Sequence, residues 1–307
     1  MAKSKKNKLP IKLDYPILKE IDFSNQKVIS YSQYSTYKSC AYKWYNQSVL
    51  KIKQGPNINM TFGTAIHNTL QHYLTTMYTQ SGAAADRIDI VKYFEEQLKI
   101  SYLDEMTKYG KHYSDQTELN EYYEDGVAIL KWFKSHRNAY FTSKNDYLIG
   151  CELPLQKEIT PNVVFQGYID LAIYNSNVNK ITLFDFKTST KGWNDWNKKD
   201  ENKISQLILY KQLFSELYNF PIENIDVEFM ILKRKVQPNE FVEFPKRIQE
   251  FKPAAGSIKL KQVQKSFESF INDIFDDNGQ YVIKEYPKTI TKLCDWCYLY
   301  KEGVCKK

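Results

Sequence analysis

What the 307-residue chain has little of narrows its class before any motif is read. Glycine (11) and proline (10) are sparse, and no internal repeat or long low-complexity tract interrupts the sequence. Collagen, disordered and whole-chain coiled-coil architectures are thereby excluded. No apolar run approaches the roughly 20 residues needed to cross a bilayer, and the lysine-rich start MAKSKKNKLP leads into no apolar leader segment. A cytoplasmic protein without a membrane partner is the expectation. Five cysteines are too few and too unevenly placed for a secreted disulfide framework. The chain also lacks a G-x-x-x-x-G-K-[ST] loop, so it carries no recognisable ATP motor. Any helicase or recombination motor that works with it has to be a separate partner.

What is present is a globular composition with a mildly basic surface. Hydrophobic residues make up 42%, aromatics 15% and charged residues 26%, and 43 Lys+Arg against 36 Asp+Glu give a net charge of +7. Lysine, asparagine, isoleucine and tyrosine are abundant, as in proteins of AT-rich genomes. A phage or a low-GC bacterium is the expected source, and a bacterial or phage-infected cell the expected setting.

Residues 1–27 read as a loosely attached basic arm, and residues 28–307 as one domain. Ser32 is the expected cap of a helix carrying Tyr34, Tyr37, Ala41 and Trp44 at helical spacing, which puts Cys40 on or near it. Phe62, Ile66, Leu70, Tyr73, Leu74 and Met77 recur at three- and four-residue steps, and further helical patterns cover Ile90 to Lys108 and Glu118 to Tyr140. Residues 60–140 are therefore a helical part. The period then changes. Tyr147 to Leu155, Val163 to Tyr174 and Ile181 to Lys187 read as three antiparallel strands, followed by a helix at Lys203 to Tyr218 and a strand at Ile225 to Lys233. This stretch, residues 147–235, is the expected core. Val236 to Gly256 reads as mostly loop, and residues 257–307 as a last helix followed by a cysteine-bearing tail. The order of the central elements suggests an α/β sandwich.

The chemistry concentrates on the hairpin. In LFDFKTS, Asp185 and Lys187 share one face of a strand while Phe184 and Phe186 take the other. If the loop Asn175 to Lys180 makes Tyr174 pair with Ile181, counting along both strands sets Asp170 of GYID opposite Asp185, with Cβ atoms about 4.5–5.5 Å apart. Two carboxylates that close repel unless a cation lies between them, and Mg²⁺ or Mn²⁺ favours such oxygen ligands. Lys187 can then orient water and stabilise charge on a phosphoryl oxygen. An isolated Asp-x-Lys carries little weight, since roughly one chance copy is expected in a chain of this length. Here it is accompanied by Gln206 and Tyr210, four apart on the next helix, and by Gly63-Thr-Ala-Ile-His67 on an earlier one. A lone histidine in such a place is more often structural than a ligand, so the set carries the signal.

With ISYSQYSTYKSCAYKWY, FGTAIHNTL, GYIDLAIY, LFDFKTS, ISQLILYKQL and CDWCYLYKEGVC, the chain resembles the PD-(D/E)XK nuclease superfamily from about residue 30 onward. The likeness is to the branch of RecB-like domains and CRISPR-associated iron-sulfur exonucleases. It implies an α/β fold whose restriction-endonuclease-like core is a central mixed sheet flanked by helices, with a helical insertion and a cysteine-bound terminal cap. It also implies Asp170, Asp185 and His67 as metal ligands, Lys187 as the catalytic lysine, and Gln206 with Tyr210 as substrate-positioning residues. Glu152, on the preceding strand, is a further group that could approach the metal. Cys40, Cys294, Cys297 and Cys305 would hold a 4Fe–4S cluster or a structural zinc. The seven residues between Cys297 and Cys305 depart from the five usual there, while Cys151 reads as a small buried hydrophobe.

The expected activity is metal-dependent hydrolysis of DNA by an exonuclease or endonuclease, the exonuclease being favoured, on DNA that is single-stranded or has single-stranded ends, in DNA repair or recombination. Lysines of the arm and residues 233–235 are expected on phosphates, and Trp193 and Trp196 either stack on bases or, equally well, pack within a loop. Two rivals stand beside it: a non-catalytic DNA-binding or assembly subunit of the same fold, and a zinc-stapled structural protein.

Overall fold

The computed structural model describes residues 9–142, 144–237 and 245–306. After the short strand β1 (Lys27–Ile29) come α1 (Tyr31–Ser39) and the one-turn α2 (Ala41–Trp44), which passes into a π turn at Tyr45–Val49. Four helices follow: α3 (Ile58–Thr79), α4 (Gly82–Asp86), α5 (Ile90–Tyr109) and α6 (Gln116–His136). Then come β2 (Asp146–Thr160), β3 (Val163–Asn175), β4 (Lys180–Ser189), α7 (Asp195–Lys199) and α8 (Glu201–Tyr218). β5 (Ile225–Lys233), β6 (Ile248–Phe251), α9 (Ser257–Ile274) and α10 (Tyr298–Lys301) complete the described order.

Local chemistry sets several boundaries differently from the sequence reading. The cap of α1 is Ser30, whose hydroxyl accepts the Gln33 N–H, and such a cap stabilises a helix by about 1 kcal/mol. Ser32 lies inside the first turn. The helix expected to continue to Trp44 breaks at Cys40, which is extended at φ −165° and separates α1 from α2. Part of the stretch read as loop is β6, while residues 238–244 lie outside the described residues. The arm is docked from Leu9 onward: Leu13 is buried, Asp14 N–H donates to the Tyr218 carbonyl, and Lys19 exchanges two hydrogen bonds with the Gln156 side chain. Its first eight residues lie outside the described ones.

The six strands form one mixed sheet. β3 pairs antiparallel with β2 along its whole length, with β1 in parallel at Val163 to Phe165, and with β4 antiparallel from Leu171 to Asn175. Because β2 occupies one edge of β3, β1 and β4 must share the other, and residues 166–170 face a gap between them. β4 continues in parallel to β5, and β5 pairs with β6.

Helices cover both faces. Ile181, Leu183, Val227 and Phe229 pack with α1, α8 and α9. Leu171, Phe184, Phe186 and Met230 pack with α3, α5 and α6. Alternation along β4 thus buries both faces, and Phe186, wholly enclosed, contributes about 2–3 kcal/mol of hydrophobic stabilisation. Among the described residues no helix is long and apolar enough to cross a membrane.

Candidate active site

The hairpin pairs Tyr174 with Ile181, as its loop length predicts, but the ladder stops at Leu171 opposite Phe184. Asp170 and Asp185 therefore do not form the next ladder pair. Instead the Asp170 carboxylate crosses the gap and accepts the Phe186 backbone N–H at 2.7 Å. A side chain has replaced a strand-to-strand bond, which satisfies a buried donor where the sheet opens. The opening lets groups from both helical layers meet.

From the α3 side, His67 Nδ1 lies 3.5 Å from Asp170 Oδ2. Burial lowers the imidazole pKa, so the ring is held neutral, the form that can ligate a metal. From the α8 side comes Gln206, whose Oε1 accepts a hydrogen bond from Lys187 Nζ at 2.9 Å. The same ammonium lies 3.0 Å from Asp185 Oδ1 and 2.8 Å from Oδ2. Asp185 is 4% exposed, and its Oδ2 has no well-aligned donor despite that proximity. Burial pulls the Lys187 pKa down, but the charges of Asp185 and Asp170 outweigh it, and the net shift is upward.

Asp170 is also shifted upward, which for a carboxylate disfavours the charged form. Burial raises its pKa well above the carboxylate range, and the neighbouring Asp185 charge adds to the rise. Two carboxylates in one enclosed place carry more negative charge than Lys187 neutralises, which is the condition a bound cation relieves. Among the described residues, however, no three His, Cys, Asp or Glu side chains converge closely enough to hold a metal ion as they stand. The donor types suit Mn²⁺ or Mg²⁺, with Lys187 now lying against the carboxylate that would receive it.

Tyr210 is buried in the packing beneath the site. Its ring lies against Phe165 and Tyr31, and burial raises its pKa. A Cβ at Gly167 would stand 2.8 Å from the Tyr210 hydroxyl, so glycine is what lets the tyrosine pass beneath β3. Glu152 is more informative than its position in sequence suggested. It sits in β2 with φ 49°, a left-handed conformation unusual for a non-glycine residue inside a strand, and accepts a hydrogen bond from Gln71. Gln71 is one turn beyond His67 on α3, and the Glu152 charge acts on both His67 and Asp170.

Four cysteines gather elsewhere. Cys40, Cys294, Cys297 and Cys305 all line one cavity of about 310 Å³ between the α1–α2 break and the C-terminal segment. Burial pushes the Cys305 thiol up, and Cys297, Cys40 and Cys294 push it further in the same direction. The segment is docked by its own contacts as well. Tyr42 N–H donates to the Pro287 carbonyl, and the Tyr298 hydroxyl to the Ile52 carbonyl. Cys151 stands apart on β2, half-buried beside Thr75.

Of the residues expected at the substrate, Trp193, Arg234 and Lys235 are committed to other contacts. Trp193 is 8% exposed and packs on Phe229, whereas Trp196 is 81% exposed. Arg234 is buried beneath α6, with Nε 3.1 Å from Asp125 and its guanidinium 3.6 Å from the Tyr122 ring centre. Lys235 pairs with Asp125 and Glu121.

Fold and site define a mixed α/β core that sets two buried carboxylates beside a lysine. The family model of the PD-(D/E)XK nuclease superfamily matches residues 28–302, and the chain belongs to that superfamily. Its members are in general phosphodiesterase nucleases that use Mg²⁺ or Mn²⁺ and act on DNA. The comparison with curated proteins returns no match.

Proposed function

We propose that the chain is a metal-dependent DNA exonuclease acting on single strands or single-stranded ends, in repair or recombination beside a separate helicase. The observation that carries the hydrolytic reading is the meeting of Asp170, Asp185, Lys187, Gln206 and His67 at one gap in the sheet. His67, Asp170 and Asp185 would hold Mg²⁺ or Mn²⁺, with Glu152 near enough for its charge to act on His67 and Asp170. Such an ion polarises a phosphoryl oxygen and lowers the pKa of bound water. Lys187, kept protonated by its carboxylate neighbours, donates to a non-bridging phosphoryl oxygen as charge builds there. Gln206 fixes its direction, and Tyr210 holds the helix against β3. The exonuclease mode rests on the likeness of the quoted motifs to RecB-like enzymes.

Cys40, Cys294, Cys297 and Cys305 would hold a 4Fe–4S cluster. Supporting this are four free thiols around one cavity, and the distance in sequence between Cys40 and the other three. A zinc ion is the alternative occupant. Retention of both carboxylates and the lysine speaks against a non-catalytic subunit. Incubating the protein with 5′- or 3′-labelled single- and double-stranded DNA, with Mn²⁺, Mg²⁺ or EDTA, tests the reading. Stepwise shortening of single strands that EDTA abolishes is expected. Intact DNA under every metal condition would overturn it.

A further inference from the structure

A groove of about 550 Å³ opens beside Lys187 and Gln206 and runs between α1, the end of β4 and the start of α8. Ser32, Ser35, Thr36, Thr188, Asn202 and Lys203 line it, and no carboxylate does among the described residues. Its hydroxyls are not equivalent. Thr36 donates to the Ser32 carbonyl, Ser32 pairs with Ser30, and Ser189 is spent in a turn with Gly192. Ser35 Oγ and Thr188 Oγ1 have no hydrogen-bond partner among the described residues.

Lys203 is held over the Trp193 ring, 5.6 Å from its centre, by a hydrogen bond to Asn197 and a looser ion pair with Asp200 at 3.9 Å, which still leaves an N–H for a ligand. Asn202 donates from Nδ2 to the Ser39 hydroxyl, and its Oδ1, enclosed in the groove wall, has no hydrogen-bond partner. The wall is rigid, since Gln249 bonds both the Trp193 N–H, at 2.6 Å, and its carbonyl, at 2.9 Å. Free donors for an anion therefore lie beside one free acceptor for a sugar hydroxyl or base edge, next to the reacting centre. A nucleotide carries both complements, an anionic phosphate and, on its sugar or base, an O–H or N–H to donate.

Resting on the nuclease reading, we propose that this groove is the subsite for the nucleotide beside the scissile phosphodiester. Ser35, Thr188 and Lys203 grip its phosphate, and Asn202 its sugar or base. The strand must then extend past the cleaved linkage on that side, and a single phosphodiester without this neighbour is a poor substrate.

The test measures anisotropy of a fluorescein-labelled tetrathymidylate on the full chain in EDTA, where chemistry does not intervene. Lys203→Met and Ser35→Ala are each expected to weaken binding about 3- to 10-fold. Lys203→Met should also make the slope of log K against log salt shallower by about 0.7, the share of one phosphate contact on a single strand. Replacing one linkage at a time by a neutral methylphosphonate should weaken parent binding mainly at one position, and that penalty should vanish in Lys203→Met. Ser35→Ala puts a helix former on a helix surface, and unchanged melting of both variants excludes unfolding as the cause. Affinity and salt slope unchanged in both variants, or an equal penalty at every linkage, would overturn the proposal. Cleavage assays separate it from the reading beneath: a flat linkage profile with active cleavage removes the groove alone. The expected profile without cleavage keeps the nucleotide site and removes the chemistry.

Discussion

Asp170 and the backbone of Phe186 are joined by a 2.7 Å hydrogen bond across the point where β3 and β4 part company. The carboxylate thus has two duties: it closes the sheet where the ladder ends, and it supplies negative charge to the site. The duties separate by mutation. Asp170→Asn keeps an oxygen acceptor and removes repulsion with Asp185, so its unfolding midpoint should equal or exceed the parent's. Asp170→Ala leaves the Phe186 N–H unsatisfied and should cost about 1–3 kcal/mol. Both should lose cleavage. Denaturant unfolding of the two variants reads the difference, and equal destabilisation would show that the hydrogen bond carries no weight.

Gly167→Ala should damage structure and activity together. The added methyl would meet Tyr210 Oη at 2.8 Å and its Cζ at 3.1 Å, with Phe165 also at 3.1 Å. Overpacking of this kind costs about 1–3 kcal/mol. Moving Tyr210 also moves Gln206 one turn away, and with it the support of Lys187. Thermal melting and single-strand cleavage should both fall, and adding Tyr210→Phe should recover part of the melting loss by relieving the closest contact.

The Arg234 and Asp125 side chains, 9% and 8% exposed, form a buried pair between the end of β5 and α6. Removing one partner strands a buried charge, so Asp125→Ala should cost about 3 kcal/mol or more. Glu121, on the surface side of the same network, should be replaceable by alanine with little change in stability. Arg234 faces α6 and not solvent. Arg234→Met is therefore expected to lower the melting temperature while leaving the salt slope of DNA binding at the parent value. A shallower slope would place the guanidinium on phosphate after all.

Substitution of Cys40, Cys294, Cys297 or Cys305 by serine should remove bound metal and lower stability, because one centre would tie together segments more than 250 residues apart. Cross-linking so long a loop contributes several kcal/mol in the chain-entropy model developed for disulfides. Cys151→Ser should leave metal content unchanged. Iron analysis and visible absorbance of protein purified without oxygen decide the occupant: brown protein with iron supports the cluster, and colourless protein with one zinc replaces it. Full iron in Cys305→Ser would remove Cys305 from the ligand set.

Much of the site was legible because its parts are local. The loop length fixed the pairing of Tyr174 with Ile181, and helical spacing put Gln206 and His67 on elements that reach the hairpin. The gap was not legible, since it arises from β1, three residues long, sharing an edge of β3 with β4. A strand that short has no period to read, and its pairing is decided by tertiary contacts. β6, at four residues, escaped for the same reason. The sequence left Trp193 open between stacking and packing because nothing nearby reveals that Gln249, 56 residues later, clamps its backbone into the sheet end. The left-handed backbone of Glu152 has no sequence signature at all, because residues of its type rarely adopt it.

The most direct test compares the parent chain with Asp185→Ala and Lys187→Ala on 5′-labelled single-stranded DNA in saturating Mn²⁺. Asp185 and Lys187 lie within 2.8 Å of each other at the centre of the site. Loss of either should remove several kcal/mol of transition-state stabilisation, a fall of about 10³-fold or more in rate, with the melting temperature nearly preserved. Cleavage by folded Asp185→Ala at the parent rate would contradict the assignment of this gap as the active site.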